Sequence, residues 1–208
     1  LVLDRGHLQG VLSEHDLFSA QHLTLGQLSA RIRQAESVER LSALAQEIRT
    51  LAKLLIEQGI AAEPLTRIIS SLNDRLTDRI LNLCSAQEPQ PLPDFCWIAL
   101  GSEGRHEQTL STDQDNGIIF ADCDDPDVIR AQLIPFARRV NEALAACGFP
   151  LCKGNIMASS PECCLSLSEW KKRFSTWIRS PGPDENLNAT IFFDFRPAYG
   201  EFKLAQTL

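Results

Sequence analysis

The sequence predicts an α+β protein in which an N-terminal helical bundle segment is followed by a mixed sheet flanked by helices. Three observations carry this. Leu and Ile recur at helical spacing from Thr24 to about Ala86. A proline-rich break follows at Gln87-Glu88-Pro89-Gln90-Pro91-Leu92-Pro93. Beyond it, short apolar runs alternate with helical patterns, as in a mixed sheet covered by helices.

Taken in order, Leu8-Gln9-Gly10-Val11-Leu12-Ser13-Glu14-His15-Asp16-Leu17-Phe18 reads as a strand end, a tight turn and a helix start capped by Ser13. Leu25, Leu28 and Ile32 mark a first amphipathic helix. After Ser37, Leu41, Leu44, Ile48, Leu51 and Leu55 mark a second, and Leu65, Ile68, Ile69, Leu72, Leu76, Ile80 and Leu83 a third. Gly59 and Pro64 punctuate the last two, so the connection is short and the pairing antiparallel. The proline-rich break is the expected domain boundary, which separates 23–90 from 91–208. Phe95-Cys96-Trp97-Ile98-Ala99-Leu100 and Asn116-Gly117-Ile118-Ile119-Phe120 are expected to be adjacent strands. Asp125-Pro126 opens a helix to about Cys147, kinked at Pro135 and stopped by Gly148. Ser168 is expected to cap a helix whose Trp170, Phe174 and Trp177 share a face, and Thr190 to Arg196 is expected to be the last strand.

The totals exclude several classes of function. With 208 residues and 44% hydrophobic composition the chain can bury a core, which argues against general disorder. The net charge of -7, from 20 basic against 27 acidic residues, argues against a polymeric nucleic-acid partner. Lys171-Lys172-Arg173 and Arg138-Arg139 are too short and too helically spaced to change that. The seven cysteines match no zinc or redox spacing, which points to a reducing, cytoplasmic setting. No apolar run reaches membrane-span length. The opening on Leu1 within a motif predicts a piece of a longer protein.

The chemistry concentrates in Gly101-Ser102-Glu103-Gly104-Arg105-His106-Glu107-Gln108-Thr109-Leu110-Ser111-Thr112-Asp113-Gln114-Asp115-Asn116. Gly-Ser at a strand end lets a ligand approach the backbone and offers hydroxyl and amide donors to phosphate oxygens, and Arg105 can add a guanidinium fork. A lone Gly-Ser is more often an ordinary tight turn. Asp113 and Asp115, two apart on a strand, project from the same face and repel unless a cation lies between them; hard oxygen donors beside phosphates favour Mg²⁺ or Mn²⁺. In Thr190-Ile191-Phe192-Phe193-Asp194-Phe195-Arg196, strand alternation would place Asp194 and Arg196 on one face. Asp194 is then either the partner of Arg196 or a third metal ligand or base, with Arg196 near the phosphates. No Walker A or dinucleotide glycine motif occurs.

Gly101-Ser102, then Asp113-x-Asp115, then a later acid resemble the signature of the DNA-polymerase-β-like nucleotidyltransferase superfamily. More closely, Gly101-Ser102-Glu103-Gly104-Arg105-x-Glu107-Gln108 with Thr112-Asp113-Gln114-Asp115-Asn116 resembles the CBS-domain-associated nucleotidyltransferases, a family related to the protein-modifying uridylyltransferases of nitrogen control. Residues 1–22 are similar to the end of a CBS domain, in which Ser13 and Asp16 would touch an adenosine ribose. The resemblance implies Mg²⁺- or Mn²⁺-dependent transfer of a nucleoside monophosphate from an NTP to a protein or small-molecule acceptor, regulated through the CBS region. It implies Asp113, Asp115 and Asp194 as metal-binding and catalytic acids, with Gly101, Ser102, Arg105 and Arg196 around the nucleotide. A homo-oligomer is compatible with this reading. The competing readings are a nucleotide-sensing module without transfer activity and an interaction module that recruits a partner through its helices.

Overall fold

A computed structural model describes residues 2–4, 7–10, 25–108, 112–179 and 191–208, the first two segments as backbone. The capping by Ser13 and the ribose contacts of Ser13 and Asp16 lie outside the described residues. Strands β1 (Val2–Asp4) and β2 (His7–Gly10) pair antiparallel, so the strand end anticipated at Gly10 is present.

Three helices follow: α1 over 25–34, α2 (Val38–Glu57) and α3 (Ala62–Ala86). The Ser37 side chain caps α2 by accepting from the Arg40 amide. At its other end the Gly59 amide donates to Ile56 and the Ile60 amide to Leu55, the paired bonds of a Schellman stop. The tight stop turns the chain straight into α3, whose first turn holds Pro64, and α2 and α3 pack together.

The sheet has the order β5-β4-β3-β6, built from β3 (Phe95–Ala99), β4 (Asn116–Phe120), β5 (Cys164–Ser166) and β6 (Arg196–Gly200). β3 is antiparallel to both neighbours, whereas β4 and β5 are parallel, so the sheet is mixed. The one-turn helix α4 (Gly101–Gly104) follows β3, and α5 (Pro126–Ala146) follows β4 with Asp125 as its cap and Pro135 inside it. Helices α6 (Leu167–Arg179) and α7 (Phe202–Thr207) complete the described fold.

Every residue of β3 and β4 is buried, because both faces of the sheet are covered. Phe95, Trp97, Ile118 and Phe120 face a core shared with α1, α2, α3 and α5. Cys96, Ile98 and Ile119 face a smaller core with Trp170 and Phe174 of α6 and Ala205 of α7. The apolar packing therefore runs from the helical segment, past the proline-rich connector, into the sheet. Fully buried side chains such as Leu76 and Trp97 contribute most there; truncating one to Ala costs about 2–5 kcal/mol.

Two local expectations are corrected. Ser166, not Ser168, caps α6: Ser166 Oγ accepts from the Glu169 amide and Glu169 Oε2 from the Ser166 amide, a reciprocal box. Ser168 instead binds Asp122 through its amide and hydroxyl. The second correction concerns 190–196. Residues 191–192 are helical, 193–194 bend, and the strand begins only at Arg196. Alternation would have sent Phe192 one way and Phe193 and Phe195 the other. All three instead gather on the α6 aromatics, Phe192 at 4.7 Å from Trp177, Phe193 at 5.3 Å and Phe195 at 5.8 Å from Phe174. Ring contact of all three with one aromatic surface outweighs the strand pattern.

Candidate active site

The site forms where β3 ends beside the entry to β4. The Leu100 amide donates to Asp115 O, so the pairing of β3 with β4 extends one step past the strands. The chain then winds into α4, with Gly104 N donating to Leu100 O, Arg105 N to Gly101 O and Glu107 N to Ser102 O at 2.8 Å. Glycine is required twice in this turn. Gly101 has φ +53, a left-handed value that side chains resist, and a Cβ on Gly104 would stand 2.0 Å from Asp194 O. The first amides of such a turn have no partner within it and remain donors for a ligand.

Asp113 and Asp115 lie in the extended entry to β4 rather than within the strand, which starts at Asn116. Alternation still holds. Gln114 and Asn116 are each 2% exposed, while Asp113 is exposed and Asp115 half-buried. The buried amides explain why this segment is held straight. Gln114 Nε2 donates to Asn141 O and Phe149 O, and Asn141 Nδ2 donates to Gln114 Oε1 and Asn116 Oδ1. The amides of Ala158 and Ser159 donate to Asn116 Oδ1 and Asn141 Oδ1. With Gln114 tied inward, its neighbours must point outward together.

Asp115 lies against the turn: a Cβ on Gly101 would stand 3.6 Å from Asp115 Oδ2. Burial raises the Asp115 carboxyl above its usual range and the charge of Asp113 pushes it the same way, while the Cys152 thiol, donating to it, pulls it down. The structure thus brings Gly101, Ser102, Asp113 and Asp115 together, with two carboxylates close enough to repel. Hard oxygens under mutual repulsion suit a divalent cation completed by phosphate and water. Among the described residues, no group of three or more His, Cys, Asp or Glu converges as a full metal cage. The pair fits a cation that substrate helps to hold.

Asp194 is placed differently. Its Oδ2 accepts from Arg105 Nη1 at 2.6 Å, and Arg105 Nε donates to Glu107 Oε2 at 2.7 Å. The alternative of an Asp194–Arg196 pair does not form. Arg196 bonds to Asp74 on α3 and donates from Nε to Glu103 O, bracing the turn against α3.

That brace contains residues that sequence reasoning passed over. Ser70 Oγ donates to His106 O at 2.8 Å, Asn73 Nδ2 donates to Gln108 Oε1 at 3.1 Å, and Asp74 Oδ2 is 3.4 Å from His106 Nδ1. Ser70, Asn73 and Thr77 are buried polar residues at helical spacing within an otherwise apolar face, and this was the available signal. Glu103 was missed as well. It is 8% exposed, and its carboxyl is pushed up to about 8, chiefly by burial and then by the charge of Asp74, against the pull of Arg196.

The protein is thus an α+β fold with a glycine-serine turn beside a carboxylate pair at one end of a mixed sheet backed by helices. The family model described as "Putative nucleotidyltransferase DUF294" matches residues 46–184. The chain belongs to that nucleotidyltransferase family. The matched span takes in α3, the turn, both acids, β5 and α6, and ends before Asp194 and Arg196. No curated protein matches the chain. Among the described residues no helix is long and apolar enough to cross a membrane.

Proposed function

We propose that this protein transfers a nucleoside monophosphate from an NTP to a protein or small-molecule acceptor in a reaction dependent on Mg²⁺ or Mn²⁺. The carrying observation is the Asp113–Asp115 pair, flanked by the buried Gln114–Asn141–Asn116 network, with Asp115 set against Gly101. A protein gains nothing in stability from placing two carboxylates together. Asp113 and Asp115 would hold the cation, which when bound neutralises phosphate charge as pyrophosphate leaves. Gly101 and Ser102 take the triphosphate through amides and hydroxyl, and Arg105 lies at the loop's far end with donors directed to Asp194 and Glu107. Arg196 acts through the loop it braces. Asp194 serves as a third acid only on leaving Arg105, so the arrangement supports two acids plus substrate oxygens best.

The resemblance to CBS-associated and uridylyl-transferring proteins extends this reading to control through residues 1–22 and to a cytoplasmic setting. The test is calorimetry of each NTP with Mg²⁺ and with EDTA, followed by transfer of α-phosphate label into cell extract. Tighter binding with Mg²⁺ and label that stays on an acceptor are expected. Equal affinity in EDTA removes the metal from the reading.

A further inference from the structure

Beside the turn, a groove of about 840 Å³ runs between the first half of α3 and residues 105–107. Its lining includes Glu63, Arg67, Asp74, Arg105, His106 and Glu107. We propose that this groove is the acceptor site and that His106, oriented by Asp74, takes the proton from an acceptor hydroxyl. The inference rests on the nucleotidyl-transfer reading above.

Four observations carry it. His106 adopts φ +57, a left-handed conformation that a non-glycine residue holds only when its surroundings impose it. Here Ser70 Oγ, donating to the His106 carbonyl, and the His106 amide, donating to Glu103 O, impose it. The ring is half-exposed, and its Nδ1 faces Asp74 Oδ2 at 3.4 Å. The carboxylate beside Nδ1 favours a proton on that nitrogen, which leaves the Nε2 lone pair, across the ring, for a groove ligand. Finally, the groove and the phosphate-facing turn are built on one continuous piece of chain, since only Arg105 separates His106 from α4.

The lining also selects the ligand class. The groove has no Phe, Tyr or Trp on which a nucleobase could stack, and its three acids, Glu63, Asp74 and Glu107, stand against the two arginines Arg67 and Arg105. Glu63 pairs with Arg67, and Glu107 with Arg105. A neutral or zwitterionic compound bearing a hydroxyl fits such a surface, whether free or as a side chain of a polypeptide. In the step, the acceptor O–H gives its proton to His106 Nε2 while its oxygen forms a bond to the α-phosphorus. The bond from that phosphorus to the bridging oxygen of the β-phosphate breaks, pyrophosphate departs with the electron pair, and His106 returns the proton to solvent.

The experiment uses the full chain with Mg²⁺ and α-labelled NTPs, glycerol as a free hydroxyl probe and N-acetyltyrosinamide as a side-chain probe. His106→Gln is expected to lower kcat for transfer by about 100-fold or more with NTP affinity held within about 3-fold. Added imidazole should restore part of the rate, a rescue that a merely structural loss would not show. Asp74→Asn should lower kcat less. Unchanged kcat in His106→Gln, or a loss that imidazole cannot repair, overturns the assignment of the base. No transfer by the wild type to either probe while NTP and Mg²⁺ still bind overturns the acceptor site and leaves the nucleotide site standing; failure of the NTP to bind sinks both.

Discussion

The entries to β4 and to β6 each bring an acid to the same turn, yet they are held by opposite means. Residues 113–116 are fixed from within by the Gln114, Asn116 and Asn141 amides, all essentially buried. Residues 191–195 are fixed from outside by aromatic contact with α6, and Asp194 itself is half-exposed on an arginine. A buried amide network admits one geometry, because each lost bond strands a polar group away from water. Aromatic packing with an exposed ion pair tolerates several. The first arrangement suits residues that must stay together unliganded, the second a residue that can change partners.

The largest break in this comparison should come from Asn141→Ala, which removes the side-chain donor to Gln114 Oε1 and Asn116 Oδ1 and the acceptor of the Ser159 amide. A loss of about 2–4 kcal/mol in urea unfolding is expected, with NTP binding weakened alongside. Unchanged stability would mean that the network does not hold the acids. Next, Asp115→Asn should keep or slightly raise the melting temperature, since it removes a repulsive, partly buried charge, while the Mg²⁺ enhancement of NTP binding falls at least about tenfold. A destabilised variant that binds NTP normally would reverse the assignment.

Glu103→Gln offers a pH signature. The folded carboxyl is raised to about 8 from an ordinary value of 4.5, so the native state binds this proton more tightly than the unfolded chain does. Its stabilising contribution is whole below about pH 4.5 and declines as pH rises toward 8. Melting curves should therefore show the Gln variant gaining on the wild type across that window and tracking it below; parallel curves would refute a buried, protonated Glu103. The smallest effect belongs to Asp194→Asn. Breaking a half-exposed pair should cost under about 1 kcal/mol, with NTP affinity within a few-fold. Abolished transfer in a stably folded Asp194→Asn protein would show that Asp194 leaves Arg105 to serve as the third acid.

Legibility followed the same division. The three helices, β3, β4 and the outward pairing of Asp113 with Asp115 were readable because each rests on local periodicity that tertiary packing reinforces. The 191–195 segment misled because its alternation was real in sequence and was overruled by rings on α6. β5 is only Cys164–Ser166, too short to announce itself without its partner β4. The roles of Ser70, Asn73 and Asp74 were hidden in a helix whose apolar stripe dominates; a polar residue there acquires meaning only from the loop across from it. Asn141 posed the same difficulty, since nothing near it in sequence names Gln114 as its partner.

The brace from α3 has a mechanical consequence. Through Ser70, Asn73 and Asp74, one helix grips His106, Gln108 and Arg196, and Arg196 in turn grips Glu103. The far end of that helix meets α2 at the turn around Gly59. A small tilt of α3 would shift the end of the turn, residues 103–108, as a lever moves its load, while Asp113 and Asp115, tied to α5 through Asn141 and to Leu100 through its amide, would stay where they are. The spacing between the end of the glycine-serine turn and the carboxylates thus depends on the angle between two helices.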